Sequence, residues 1–404
     1  MAMAETGEQR VLPRTLAGAT VLQVVPALND SPQARTTVSA ARALVQVGAR
    51  IIVACEYGEL VEELKSFGGE WLPFESATMK LTKRRANADT LTKFIDAERV
   101  AIVHAKSASA AWSAALAAKA NGVHLVTDLP DMPPRRMWLA TFYLNALSEG
   151  DRIVSHSLFN ARPMMARFRI PAERISVVPR SLDLRTFNPV NVPDERVVKL
   201  RQIWGIPHGV RIVLVPGRIA PPNGQLVLAR AARILAEGGM RNVTFVLVGD
   251  DQRYRRFARK FWKTARAEGV DALFRMVGFH EDMPASYAAS DFVVVPYTSA
   301  PIYGRVVAEA QAMAKPTIAS STGPLPENMM TPPRMPDELR TGWEVKPGDP
   351  AELAKTIETA LALEPDDYRA HCARARQFAE YTFSPNRAAA ATLEIYASLL
   401  ESPE

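Results

Sequence analysis

Two stretches of the chain hold residue types that could grip a phosphate. In PGRIAPPNGQLVLARAARIL an apolar run ends at Gly217 and Arg218 follows it, with Asn223, Gly224 and Gln225 leading into a helical pattern. A guanidinium just past the carboxyl end of a strand suits an anion, because its planar fork matches phosphate oxygens. Taken singly, such an arginine is more readily a surface residue paired with a nearby carboxylate. In VVVPYTSAPIYGRVVAEAQAMAKPTIASSTG a second helix opens near Tyr303, Gly304 and Arg305. The free N–H groups of a helix start, here around Gly304, Arg305 and Val306, form an anion site, and Gly304 lets a ligand approach the backbone. Glu309 lies further along that helix, where an ionised carboxylate could accept two hydrogen bonds from vicinal hydroxyls. Alone, it would be an ordinary helix surface residue.

These residues need a scaffold, and the pattern of the chain supplies one. TVLQVVP (from Thr20), RIIVACE (from Arg50), VAIVHA (from Val100), HLVTD (from His124) and DRIVSHS (from Asp151) are apolar on consecutive positions. Such runs read as strands covered on both faces, as in a parallel sheet. Between them TTVSAARALVQVGA puts Ala40, Ala43, Leu44 and Val47 on one helical face. After the proline-rich stretch ISVVPRSLDLRTFNPVNVPDE, which has the composition of a linker, the same alternation restarts with RIVLVPG, TFVLVGD, ALFRMVG, DFVVVPY and KPTIASS. The expected architecture is α/β, two Rossmann-like doubly wound domains facing across a cleft. Residues 1–18 are expected as a flexible arm, 19–190 and 191–380 as the two domains, and 381–404 as a terminal helix, from about Pro385 to Leu400, docking back on the first domain.

The composition excludes several classes. The 404 residues are 48% hydrophobic and 23% charged, which rules out a disordered or fibrous chain. No apolar run reaches the ~20 residues of a membrane span. The opening MAMAETGEQRVLPRTLAGA is neither a secretory signal nor a transit peptide, and two cysteines, Cys55 and Cys372, fit a reducing cytoplasm. A formal net charge of +6, with acids interspersed, suits an anionic ligand or an acidic membrane surface and carries no nucleic-acid signature. The G-x-G-x-x-G dinucleotide fingerprint, the P-loop, H-E-x-x-H and G-x-S-x-G are all absent.

Over nearly its whole length the chain resembles the family 4 retaining glycosyltransferases of the GT-B architecture. The motifs that carry the likeness include LQVVPAL, VHAKSASAAWSA, LNALSEGDRIVSHSLF, RISVVPRSLDLRTFNP, VPGRI with NGQ, LVGDDQ, GFHEDMPASYAASDFVVVP, GRVVAEAQAMAKPTIAS and TGWEVKPGDPAELA. The resemblance implies a nucleotide-diphosphate-sugar donor on the second domain and a cell-envelope glycan or lipid acceptor on the first. It implies that Arg218 contacts donor phosphate, that the amides of Gly304, Arg305 and Val306 meet the diphosphate, and that Glu309 holds the ribose. The base would lie near Phe279 and His280. No metal or other cofactor is implied.

The sequence departs from the family pattern where the chemistry should be. Pro301 stands where the first glutamate of an E-x7-E motif belongs, and Asn223 where a donor-phosphate lysine belongs. The loop after the first strand is Asn29-Asp30-Ser31-Pro32-Gln33 instead of glycine-rich, and Pro130-Asp131 replaces an expected His-Gly. Each lost donor or cation at a developing charge costs about 10²–10³ in rate. Arg305, Arg180 and Lys106 are candidate substitutes. With Asn29 and Asp131, Lys106 and Arg180 are also the expected acceptor or cleft residues. Two readings follow: a glycosyltransferase with altered donor contacts, or a catalytically degenerate homologue that binds or scaffolds. Basic-aromatic stretches at DMPPRRMWLATFYL and RYRRFARKFWKTAR raise a peripheral contact with an anionic membrane, weighed against aromatics that simply pack on their own domain. His104 and His156 are read more readily as satisfied structural histidines than as catalytic ones.

Overall fold

The computed structural model describes residues 14–78, 80–129 and 145–401. The chain divides into two compact units, one of Met1–Ser181 with Ser384–Glu404 and one of Leu182–Phe383. The first unit holds strands β1 (Thr20–Ala27), β2 (Arg50–Glu56), β3 (Glu70–Pro73), β4 (Val100–Ala105), β5 (His124–Asp128), β6 (Arg152–Ser155) and β7 (Ile175–Val177). They form one parallel sheet in the order β3-β2-β1-β4-β5-β6-β7. Strand order reverses at β1, so the crossover helices fall on both faces of the sheet.

Because strand side chains alternate, each strand feeds two cores. Val21, Val25, Ile51, Val53 and Ile102 pack on the side of the terminal helix, Pro385–Leu400, with its Leu393 and Tyr396. Leu22, Val24, Ile52, Ala54 and Val103 pack on the other, with Leu91 and Ala114 of the Leu81–Ala97 and Ala108–Asn121 helices.

The second unit repeats the plan. Strands β8 (Arg211–Pro216), β9 (Val243–Val248), β10 (Phe274–Gly278), β11 (Phe292–Val295), β12 (Thr317–Ser320) and β13 (Gly342–Val345) run parallel in the order β10-β9-β8-β11-β12-β13. Val213, Val215, Phe245, Leu247 and Val294 face one core, and Ile212, Leu214, Val246, Val248 and Val293 the other. The chain enters and leaves this unit side by side, where the Leu182 N–H donates to the Phe383 carbonyl at 2.9 Å.

Three expectations are corrected here. The units meet at Ser181/Leu182 and Phe383/Ser384, not at residues 190 and 380. The proline-rich stretch is not a solvated linker: Ile175–Val177 is the edge strand β7, and Leu182, Phe187 and Val192 are buried in the second unit. Nor is the arm loose up to residue 18, since Arg14–Leu16 form a 3-10 turn and Leu16 is fully buried against the first core. Residues 1–13 lie outside the described ones, as do Asp131 and the DMPPRRMWLATFYL stretch. Among the described residues no helix is long and apolar enough to cross a membrane.

Candidate functional site

In the second unit the loop after β8 is built around backbone close approaches. Gly217 has φ 124°, and a side chain there would meet the Tyr297 hydroxyl 2.7 Å from its Cβ. Gly224 has φ 72°, and its Cβ would fall 1.7 Å from the Pro296 carbonyl oxygen at the end of β11. Only glycine satisfies both conditions, a left-handed backbone and no side chain. Between them the Arg218 carbonyl accepts from Asn223 Nδ2 at 2.8 Å and Gln225 Nε2 at 3.0 Å. Asn223 thus braces the loop through its amide, while the Arg218 side chain stays exposed.

The helix Arg305–Ala312 starts at Gly304 without a side-chain cap. The Gly304 carbonyl receives the N–H of Val307 at 2.9 Å and of Ala308 at 3.1 Å, so the N–H groups of Arg305 and Val306 have no intrahelical acceptor. Gly304 itself sits under Asn328, whose Nδ2 lies 1.8 Å from where a Cβ would be. Pro301 is set against Gly323, with its Cδ 3.0 Å from the place a Cβ would take there.

Glu309 is not a surface residue. It is 5% exposed and accepts from the Tyr287 hydroxyl at 2.8 Å and from Arg305 Nε at 2.6 Å. Burial pushes its carboxyl above the ordinary range, against the pull of Arg305 and Tyr287. Tyr297 links the two halves of the site. Burial pushes its phenol up to about 12, the Arg218 cation opposes that rise and the Glu309 anion adds to it. Arg218 and Glu309 therefore act on one phenol at the carboxyl ends of β8 and β11. Arg305, expected as a substitute cation, has its guanidinium committed to Glu309. Phe279 is 72% exposed just beyond β10, and His280 beside it donates Nδ1–H to the Asp282 carbonyl at 3.1 Å.

Sequence reasoning missed Tyr287 and Tyr297. The second is visible at the end of the VVVPY strand. The first has no local signal, since only packing brings the helix Met283–Ala288 against Glu309.

In the first unit, Lys106 follows β4 and is buried, and burial lowers its ammonium, with Asp128 opposing and Arg180 reinforcing that shift. The β1 loop is tied to it, because Gln33 Nε2 donates to the Lys106 carbonyl; Asn29 in that loop is exposed. The face covered by the terminal helix carries a buried polar chain. Gln23 Nε2 donates to the Tyr396 oxygen at 2.9 Å, Tyr396 donates to His104 Nδ1 at 2.6 Å, and His104 Nε2–H donates to Asp128 at 2.6 Å. Burial lowers the His104 pKa and favours the neutral ring, which with Nε2–H on Asp128 can only accept at Nδ1 from Tyr396. His104 is thus a satisfied structural histidine, and His156 donates Nδ1–H to the Val178 carbonyl at 2.9 Å.

Comparison with known proteins fits both units. Residues 33–186 match the model of Glycosyltransferase Family 4, and residues 210–362 that of Glycosyl transferases group 1. The chain is 28% identical over 250 residues to the D-inositol 3-phosphate glycosyltransferase of Corynebacterium efficiens, covering 61% of this chain and 55% of that protein. It is 27% identical over 224 residues to the lipopolysaccharide 1,2-N-acetylglucosaminetransferase of Salmonella typhimurium, covering 53% and 55%. It thus spans about half the length of the curated relatives it matches. A glycosyltransferase structure from Rickettsia africae superposes with a TM-score of 0.77 at 26% identity, over 96% of this chain and all (100%) of that one. Anabaena HepE in complex with UDP shares the fold, with a TM-score of 0.70 at 19% identity over 94% and 100% of the chains. Both are GT-B folds.

Proposed function

Because this chain joins a glycosyltransferase family 4 domain to a group 1 glycosyl transferase domain, we propose that it moves a sugar from a nucleotide-diphosphate-sugar to a cell-envelope glycan or lipid acceptor, with retention at the anomeric carbon. The observation that carries this reading is the uncapped start of the Arg305–Ala312 helix, whose first N–H groups lack an intrahelical acceptor, with Glu309 buried on the same helix. Arg218 and the amides of Gly304, Arg305 and Val306 take the diphosphate, and in this scheme they balance the charge on the leaving group without a metal. Glu309 accepts from the ribose hydroxyls, and the base lies along Phe279 and His280. Lys106, Asn29, Asp131 and Arg180 serve the acceptor. The UDP held by HepE supports a nucleotide-linked donor, and the lipopolysaccharide relative supports an envelope acceptor. The setting is cytoplasmic, where Cys55 and Cys372 stay reduced.

The test is release of nucleoside diphosphate from a panel of nucleotide sugars, with Arg218→Ala and Glu309→Ala alongside the unaltered protein. Each substitution is expected to abolish release. Turnover that survives both removes these roles, and absence of any donor binding by calorimetry overturns the reading.

A further inference from the structure

The helix Arg255–Ala267 in the second unit has no part in the donor site, yet its two faces are sharply divided. Phe261 is fully buried, Ala258 and Ala265 are buried beside it, and Phe257 and Trp262 pack on the same core. Phe261 is therefore interior, and Phe257 and Trp262 are half-buried with their contacts on the core. The other face is cationic. At about 100° per residue, Arg255, Arg256, Arg259, Lys260, Lys263 and Arg266 fall within an arc of about 140°. All six are exposed. Two other exposed arginines of this unit are matched by acids, Arg233 by Glu237 and Glu268, and Arg196 by Asp282. These six take part in no ion pair among the described residues, and the helix contains no acidic residue.

A row of unmatched cations is unfavourable by itself, because like charges on adjacent turns repel. It becomes favourable against a dense, flat anionic surface. We infer that this helix face is a docking surface for an anionic lipid bilayer, lying along it through charge alone, without insertion. The 13-residue helix is about 20 Å long, so its cations can meet several headgroups at once. With Phe261 interior and Phe257 and Trp262 half-buried on the core, the helix lacks the exposed aromatic stacking platform that single-stranded nucleic acid would use. The bilayer is thus the better match to a one-sided cationic face. The inference stands apart from the donor reading, since docking needs no turnover.

The test is co-sedimentation of the full chain with phosphatidylcholine vesicles, pure or containing roughly one-third phosphatidylglycerol. Binding is expected to the anionic vesicles only. It should vanish in about 1 M salt, where the screening length is about 3 Å. Arg256→Glu, Arg259→Glu and Lys263→Glu together should weaken it by on the order of 100-fold, at about tenfold or less per reversed charge. A control reversing Lys199 and Lys355, exposed on other helices of the same unit, should bind as the unaltered protein does. Circular dichroism of both variants establishes that they are folded. The inference is overturned by equal binding to neutral vesicles, by loss shared with the control, by no binding at all, or by capture of a polynucleotide in place of vesicles.

Discussion

The Tyr287 hydroxyl lies 2.8 Å from Glu309 Oε2, so a phenol buried in one helix fixes a carboxylate buried in the next. Arg305 holds the other carboxylate oxygen at 2.6 Å, which leaves Glu309 no freedom to turn. Burial nevertheless pushes this carboxyl above its ordinary 4.5. A raised carboxyl costs stability as pH climbs from 4.5 through the folded value, and the cost remains in full above it. Glu309→Gln removes that charge and keeps the shape. Its thermal midpoint at neutral pH should not fall, whereas turnover should drop by about 10²–10³. Tyr287→Phe should instead cost roughly 1–3 kcal/mol in chemical denaturation, by leaving the carboxylate short of a donor.

Asn223 offers the converse experiment. Its amide closes the Arg218 loop, and it adds no charge. Asn223→Lys should bring a second cation beside Arg218 and tighten UDP binding in calorimetry by about tenfold, the worth of one charged hydrogen bond. Loss of the amide bond to the Arg218 carbonyl should lower stability by about 1 kcal/mol. Unchanged or weaker UDP binding would mean that no phosphate lies within reach of position 223.

The chain from Gln23 through Tyr396 and His104 to Asp128 predicts an acid-sensitive first unit. Gln23 and His104 are register partners on β1 and β4, and Tyr396 comes from the terminal helix. Burial holds His104 below 6.5, so protonation is disfavoured in the fold and stability declines as pH falls below 6.5. Asp128 is depressed despite its burial, because His104 and Lys106 outweigh that cost, and it adds a further loss as pH falls below 3.8. Melting midpoints should drop between about pH 7 and pH 5. The drop should be smaller in His104→Gln, which cannot take up the proton.

Gly224→Ala should be among the most damaging single changes. A methyl there would sit 1.7 Å from a backbone oxygen, at φ 72°. The Pro296 backbone, directly after β11, cannot step aside, so a loss of about 3 kcal/mol or more is expected in urea unfolding. The same change at Gly122, with φ 64° but open space around it, should cost far less.

Much of this was legible in the sequence. Consecutive apolar positions gave both sheets because parallel strands are covered on two faces, and the terminal helix was readable to its ends at Pro385 and Leu400. The short strands β3 and β7 were not, since edge strands need only partial burial and β7 lies among prolines. The burial of Leu16, Leu182 and Phe187 was hidden for the same reason: isolated apolar residues in a loop carry no period. At the candidate site, Arg218, Gly304 and Glu309 stood out by type and spacing, whereas the burial of Glu309 did not. The brace by Asn223, the Arg305–Glu309 pair and Tyr287 depend on packing that only folding creates.

The most direct measurement is isothermal titration of the full chain with UDP, alone and as Arg218→Ala and Glu309→Gln. Saturable binding by the unaltered protein, weakened at least about tenfold in each variant, is expected, since each substitution removes one charged hydrogen bond to the nucleotide. If UDP and other nucleoside diphosphates fail to bind, or bind equally to all three proteins, the diphosphate is not held between Arg218 and the Glu309 helix.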